Sequence, residues 1–75
     1  MKIKTNIWEE VRVWQDNTVI VDVDSVEHFK QLIQDGALLS GANSFEYVCT
    51  EFIWEALIDT GNFEYQEDYE ILDEE

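Results

Sequence analysis

The sequence predicts one small α+β domain, in which an antiparallel hairpin and a third strand carry two helices in the order β-β-α-α-β. The chain has 75 residues, the size of a single domain. Apolar residues alternate with polar ones near both ends, as in half-buried strands, and recur every three or four positions in between, as in amphipathic helices. No proline, linker or repeat divides the chain. One domain over residues 1–75 is therefore expected, with about 71–75 as a frayed tail.

The N-terminal part of the chain predicts a β-hairpin. Apolar side chains alternate with polar ones over residues 3–14 and again from Thr18 onwards. The polar stretch Gln15, Asp16 and Asn17 between them has the composition of a turn. The first strand is therefore expected to end at about residue 14.

Two helices are expected to follow the hairpin. Asp24 is the predicted N-cap of the first, because Glu27 completes a capping-box spacing, and Gly36 stands where a helix can end in the left-handed conformation. The second helix is expected after Asn43, which precedes Glu46 by the same capping-box spacing. Its predicted core-facing stripe has helical spacing: Phe45, Val48, Cys49, Phe52, Ile53, Ala56 and Leu57.

Two further segments complete the predicted fold. Residues 37–42 form a connector whose two leucines are expected to turn inward. After the helix-ending residues 60–62, apolar and polar residues alternate again over 63–71, which predicts the third strand.

The charge of the chain is strongly negative and unevenly distributed. Eighteen acids against four Lys and Arg give a formal net charge of −14. Residues 1–40 hold seven acids and four bases, whereas residues 41–75 hold eleven acids and no base. This balance excludes a conventional DNA or RNA binder and a basic membrane-surface helix. A content of 45% hydrophobic and 13% aromatic residues is too high for a disordered acidic tail.

The acids of the second half are expected to form ordered rows, one along the second helix at i, i+4 and i+8 and one along a face of the third strand. Such rows can imitate the phosphates of a nucleic acid, and no base follows Lys30 to neutralise them. The alternative is an ordinary solvated face. The acids expected to contact a partner are Glu51, Glu55, Asp59, Glu64, Glu67, Asp68 and Glu70.

Aromatic residues are expected beside these acids. Tyr47 and Trp54 fall nearly opposite the core stripe of the predicted second helix and flank Glu51, so they are the predicted anchors of a binding surface. Trp8 and Trp14 fall on the polar face of the first strand. Packing beneath a second layer and exposure at an interface remain the alternatives for these tryptophans.

No catalytic motif is present, and an enzyme is not expected. Glycine-rich phosphate loops and zinc-protease motifs are absent from the sequence. Cys49 is expected to be a buried thiol and His28 a surface residue. Asp22 with Asp24 or Glu27 would make a carboxylate pair, but strands that end at a helix cap often look this way. No cofactor or metal is expected.

The location expected from the sequence is the cytoplasm. A single cysteine favours a reducing compartment, and no apolar run has the length of a signal sequence or a membrane span.

In length, net charge and the base-free residues 41–75, the chain resembles the small acidic inhibitors made by phages and mobile elements. These include DNA mimics, anti-restriction proteins and anti-CRISPR proteins. The resemblance carries no motif, so no functional residue is transferred from a family. It implies a protein that binds the basic nucleic-acid groove of a host defence nuclease or CRISPR effector in a bacterial cytoplasm and blocks access to it.

Two other functions remain open at this point. One is an immunity-like or antitoxin-like protein that neutralises a basic toxin through similar contacts. The other is a small acidic adaptor domain whose charge serves solubility. The sequence leaves the oligomeric state open, with a homodimer among the possibilities.

Overall fold

The computed structural model describes residues 1–55 and 62–72, and these form a four-stranded antiparallel sheet with two short helices. The strands are β1 (Lys2–Glu10), β2 (Val13–Asp22), β3 (Ser44–Glu55) and β4 (Phe63–Ile71), and the helices are α1 (Val26–Asp35) and α2 (Leu38–Gly41). Across the sheet the strand order is β3-β2-β1-β4, so β3 and β4 are the edges. The predicted order β-β-α-α-β was wrong, because the elements follow one another as β-β-α-α-β-β.

The predicted hairpin is present, but its turn lies earlier than predicted. Glu10 pairs with Trp14, and the N–H of Val11 donates to the carbonyl of Val13 at 3.1 Å. The expected turn residues 15–17 lie inside β2. Two of them find side-chain partners across the sheet: Asp16 accepts from Asn6 at 2.8 Å, and Asn17, which is only 2% exposed, accepts from the Thr50 hydroxyl at 2.7 Å. Tertiary hydrogen bonds therefore override the local turn preference.

Helix α1 has the predicted position and a different N-cap. The Ser25 hydroxyl, and not the Asp24 carboxylate, accepts from the His28 N–H at 3.0 Å. At the other end Gly36 adopts φ 68° and ψ 29°, the left-handed conformation expected there. Phe29 and Leu32 are buried beneath the helix, as the apolar spacing predicts.

The segment predicted as the second helix is the edge strand β3. The pairing of β3 with β2 shifts twice, and Val48 and Ile53 are the extra residues. Five residues of β3 lie on the helix-bearing side: Phe45, Tyr47, Thr50, Phe52 and Glu55. From the first to the last there are ten positions in four steps, so the mean spacing between successive residues on this side is 2.5. This spacing lies between those of a regular strand and a helix, so the apolar pattern matched a helix falsely. Residues 56–59 of the predicted helix lie outside the described residues.

The core lies on one side of the sheet only. Its sheet residues are Ile3 and Ile7 of β1 and Val19 and Val21 of β2, together with Val23, and both helices contribute to it. The buried apolar residues are Ile3, Ile7, Val19, Val21, Val23, Phe29, Leu32 and Leu38. Leu38 and the partly buried Leu39 are the two inward leucines predicted for the connector. The other side of the sheet carries no helix among the described residues.

Candidate partner-binding surface

We use the term open face for the side of the sheet opposite α1 and α2. The register of the strands assigns a mixture of acidic, aromatic and small polar side chains to it. Its members are Lys2, Lys4, Asn6, Trp8, Glu10, Trp14, Asp16, Thr18, Ile20, Asp22, Ser44, Glu46, Cys49, Glu51, Trp54, Glu64 and Glu70. Seven of these are carboxylates. Several of them surround a group of aromatic rings near the β1–β2 turn.

Trp8, Trp14 and Trp54 form a tryptophan cluster on the open face. The rings of Trp8 and Trp54 meet edge to face, with centroids 5.4 Å apart and planes at 87°. The rings of Trp14 and Trp54 are 6.2 Å apart at 46°. Contacts of this kind contribute about 0.5–1.5 kcal/mol each beyond area burial. Trp54 remains 46% exposed at the sheet edge, so the cluster is at once packed and accessible.

Carboxylates from three strands lie in one row beside the tryptophan cluster. Glu51 pairs with Asp16, Asp16 with Trp8, and Trp8 with Glu64. Neighbouring strands are about 4.8 Å apart, so the row spans roughly 15 Å. Asn6 donates its side-chain N–H to Asp16 at 2.8 Å, which fixes that carboxylate in place. No lysine or arginine belongs to this row.

The cations of the described residues lie elsewhere on the sheet or on α1. Lys2 and Lys4 are at the far end of the open face, where the Nζ of Lys4 lies 3.7 Å from Glu70. Arg12 occupies the β1–β2 turn and Lys30 lies on α1. The row of Glu51, Asp16 and Glu64 is therefore a local concentration of negative charge.

Glu10 belongs to the open face but is structural. It is 5% exposed, and its Oε1 accepts from the Asn62 side chain at 3.1 Å. Its backbone N–H also donates to the Asn62 carbonyl at 2.8 Å. This carboxylate ties β1 to the start of β4 and is not exposed for a partner.

The structure separates acids that the sequence analysis grouped together. The predicted helical row was wrong, because Glu51 lies on the open face whereas Glu55 pairs with Val13 on the helix-bearing side. Asp59, the third acid of that row, lies outside the described residues. Tyr47 pairs with Val19, so it and Trp54 lie on opposite sides of the sheet.

The predicted acidic face of the last strand is interrupted. Strand β4 occupies 63–71 as expected, and both Glu64 and Glu70 lie on the open face. Between them the pairing with β1 shifts, and the Thr5 hydroxyl donates to the Asp68 carbonyl at 2.8 Å. Glu67 turns to the helix side, where it borders a groove between α1 and β4.

Cys49 and Asp16 lie in different surroundings from those predicted. Cys49 was expected in the core and is exposed on the open face. Asp16 was assigned to a turn and instead lies at the centre of the carboxylate row. The sequence does contain a signal for Asp16. With the turn at residues 11 and 12, even-numbered residues of β1 pair with even-numbered residues of β2, so Trp8, Trp14 and Asp16 lie on one face.

A second polar group lies on the helix-bearing side, beyond the end of the helices. Asn17 donates to Glu9 at 3.3 Å and accepts from Thr50, which links three strands. Partial burial raises the pKa of the nearby Tyr47 hydroxyl, and the Glu9 carboxylate and Tyr65 raise it further. The group is internally bonded and stabilises the part of the sheet that α1 does not cover.

The candidates for other chemistry have structural roles. The backbone N–H of Asp24 donates to His28 Nδ1 at 3.0 Å, and the Asp24 carboxylate accepts from Asn43 at the same distance. Over residues 1–55 and 62–72, no group of three His, Cys, Asp or Glu side chains is arranged to hold a metal ion. In the same residues no helix combines the length and the apolarity required to cross a bilayer.

Comparison of the chain with protein-family models, with curated proteins and with solved structures finds no match. The open face itself is therefore the feature of this chain that indicates a function.

Proposed function

We propose that this chain is an acidic inhibitor that occupies the basic nucleic-acid-binding groove of another protein. A host defence nuclease or a CRISPR effector in a bacterial cytoplasm is the partner that fits the resemblance in size and charge. The observation that carries the proposal is the open face, where Glu51, Asp16 and Glu64 lie in one row beside the tryptophan cluster.

Electrostatics favours such a partner. A net charge of −14 attracts a positively charged groove over a distance of about one Debye length, or about 8 Å in physiological salt. Attraction of this kind raises the association rate more than it lowers the dissociation rate. The fixed carboxylates would then meet arginine and lysine side chains that otherwise bind phosphates.

The tryptophan cluster supplies the apolar part of the proposed contact. Trp54 is half-exposed and held by two neighbouring rings, so it can be buried by a partner with little loss of side-chain freedom. Tryptophan is among the residue types that contribute most at protein interfaces. Inhibition would follow from occupancy, since the chain and a nucleic acid would compete for one groove.

Affinity capture from a bacterial lysate, at low and then at high salt, is the first test. We expect one or more nucleic-acid-binding proteins that are released by salt. The captured protein should lose bound labelled DNA or RNA as this chain is added. Recovery of a single basic toxin would favour the antitoxin alternative, and simultaneous binding of the chain and the nucleic acid would contradict groove occupancy.

Matched variants then locate the surface. Glu51→Gln with Glu64→Gln changes the net charge from −14 to −12 on the open face. Glu27→Gln with Asp35→Asn makes the same change on α1 and is the control. We expect the first pair to weaken binding at least about tenfold, or about 1.4 kcal/mol, and the control pair to weaken it much less.

Trp54→Ala tests the anchor separately from the charge. Truncation of a central aromatic residue at an interface costs about 2 kcal/mol or more of binding free energy. An unchanged affinity in Trp54→Ala would indicate that the carboxylates, and not Trp54, make the contact.

A further inference from the structure

Among residues 1–55 and 62–72, no strand pairs with the outer edge of β3. Strand β3 is twelve residues long and lies at one end of the strand order. Eleven of its residues are exposed and one is half-buried. Exposed edges of this length are usually shortened, covered, or blocked by bulges, charged side chains or proline. Strand β3 has two bulges and three glutamates but no lysine or proline, so its charges oppose an acidic strand and not a basic one.

The two sides of β3 differ in chemistry. On the helix-bearing side Phe45, Tyr47 and Phe52 are 48%, 49% and 64% exposed, and together they form an exposed apolar surface. On the open face the corresponding residues include Glu46 and Glu51. A strand added beside β3 would therefore meet aromatic rings on one side of its backbone and carboxylates on the other.

We propose that the outer edge of β3 binds an extended segment of the partner in which apolar residues alternate with lysine or arginine. The segment would become a fifth strand, with its main chain hydrogen-bonded to β3. Its apolar side chains would pack on Phe45, Tyr47 and Phe52, and its basic side chains would face Glu46 and Glu51. The inference rests on the proposed function for the positive charge of the partner.

Charge complementarity selects this occupant over a second copy of the chain. Residues 41–75 contain no base, so edge-to-edge pairing of two copies would bring together two segments of the same sign. A basic segment gains attraction where a second copy gains repulsion.

The test uses peptides of about ten residues, the upper length of most strands. The probe alternates lysine and valine and has blocked ends. One control has the same composition with the lysines and valines in separate blocks. A second control is the alternating peptide N-methylated at every second residue, which removes hydrogen-bond donors without changing the charge. A third replaces lysine by threonine. Affinity and amide hydrogen exchange in β3 are measured for each peptide with the full chain.

We expect the alternating basic peptide to bind with one peptide per chain and to slow amide exchange in β3. The block, N-methylated and threonine peptides should each bind at least about tenfold more weakly. Equal binding of the block or N-methylated peptide would overturn the proposal, because attraction without strand pairing would then explain it. Equal binding of the threonine peptide would overturn the requirement for positive charge.

Pairing of β3 with a second copy of the chain would give a different result, which can be measured alongside the peptides. Antiparallel self-pairing of β3 about its middle would bring the two Cys49 thiols close together, since Cys49 lies near the centre of the strand. Oxidative cross-linking through Cys49, with exchange in β3 slowed at high protein concentration without peptide, would overturn the proposal. If the peptides do not bind at the edge of β3, the chain can still compete with nucleic acid for the groove of its partner. The two proposals can therefore fail separately.

Discussion

Asp16 and Glu51 face each other directly on adjacent strands, with a distance of about 5 Å between their Cβ atoms. Like charges in such a pair destabilise a sheet, and the side-chain N–H of Asn6 offsets this for Asp16 alone. A pair that lowers stability while it concentrates charge is typical of a surface that serves binding.

Glu51→Gln should therefore stabilise the free protein, by about 0.2–1 kcal/mol, because it removes the repulsion from Asp16. Urea unfolding of the variant and the unchanged chain measures the difference. Glu27→Gln is the control and should destabilise slightly, since an acid in the first turn of α1 interacts favourably with the helix dipole. A loss of stability in Glu51→Gln would show that the pair is not repulsive.

The stability of the free protein should depend on pH through Tyr47. Its raised pKa means that the folded chain keeps the proton where an unfolded tyrosine has lost it. The folded state then binds more protons, so stability falls as the pH rises through the ordinary tyrosine pKa of about 10. Glu9→Gln should lower the pKa of Tyr47, as seen by tyrosinate absorbance. Glu70→Gln, on the opposite face, should leave that titration unchanged.

Among the elements, α1 and β3 show how far local sequence determines structure here. The ends of α1 depend on Ser25 and Gly36, whose effects act within one turn. Gly36 was predicted correctly, and the N-cap was predicted one residue too early, at Asp24. The conformation of β3 depends on its pairing with β2, and its bulges hide the alternation that marks a strand. Aromatic and β-branched residues dominate β3, and their strand preference was the signal outweighed by apparent helical spacing.

Gly36→Ala tests the C-terminal cap of α1. A Cβ at this position meets no atom within 4 Å, so the cost comes only from the left-handed backbone at φ 68°. We expect a loss of about 1–2 kcal/mol in unfolding free energy. Gly36→Asn should lose less, because asparagine adopts this conformation more readily. Equal losses for both variants would indicate that backbone strain is not the cause.

For the whole molecule, charge and shape act together. The described residues extend over 43 × 22 × 18 Å, and the two helices cover only part of one side of the sheet. The excess of carboxylates was evident from the sequence, but their division between two faces was not. Strand order and register result from pairings between distant parts of the chain, which local patterns do not encode.

Salt should act oppositely on the free protein and on its complex. Fourteen net negative charges repel one another within a small domain, so screening should raise the melting temperature from low to moderate salt. The same screening should weaken binding to a basic partner and slow association most. One salt series of melting temperature and affinity measures both effects. An affinity that does not depend on salt would contradict an electrostatic contact.

The bulges of β3 also affect how the strand tolerates changes in length. In a regular strand, the loss of one residue moves every later side chain to the opposite face. Val48 and Ile53 are surplus to the pairing with β2, so deletion of either would leave the remaining side chains of β3 on their present faces. Deletion of Thr50 would instead exchange the faces of the residues that follow. Among natural variants of this chain, single-residue deletions in β3 should therefore occur at the two bulges before they occur elsewhere.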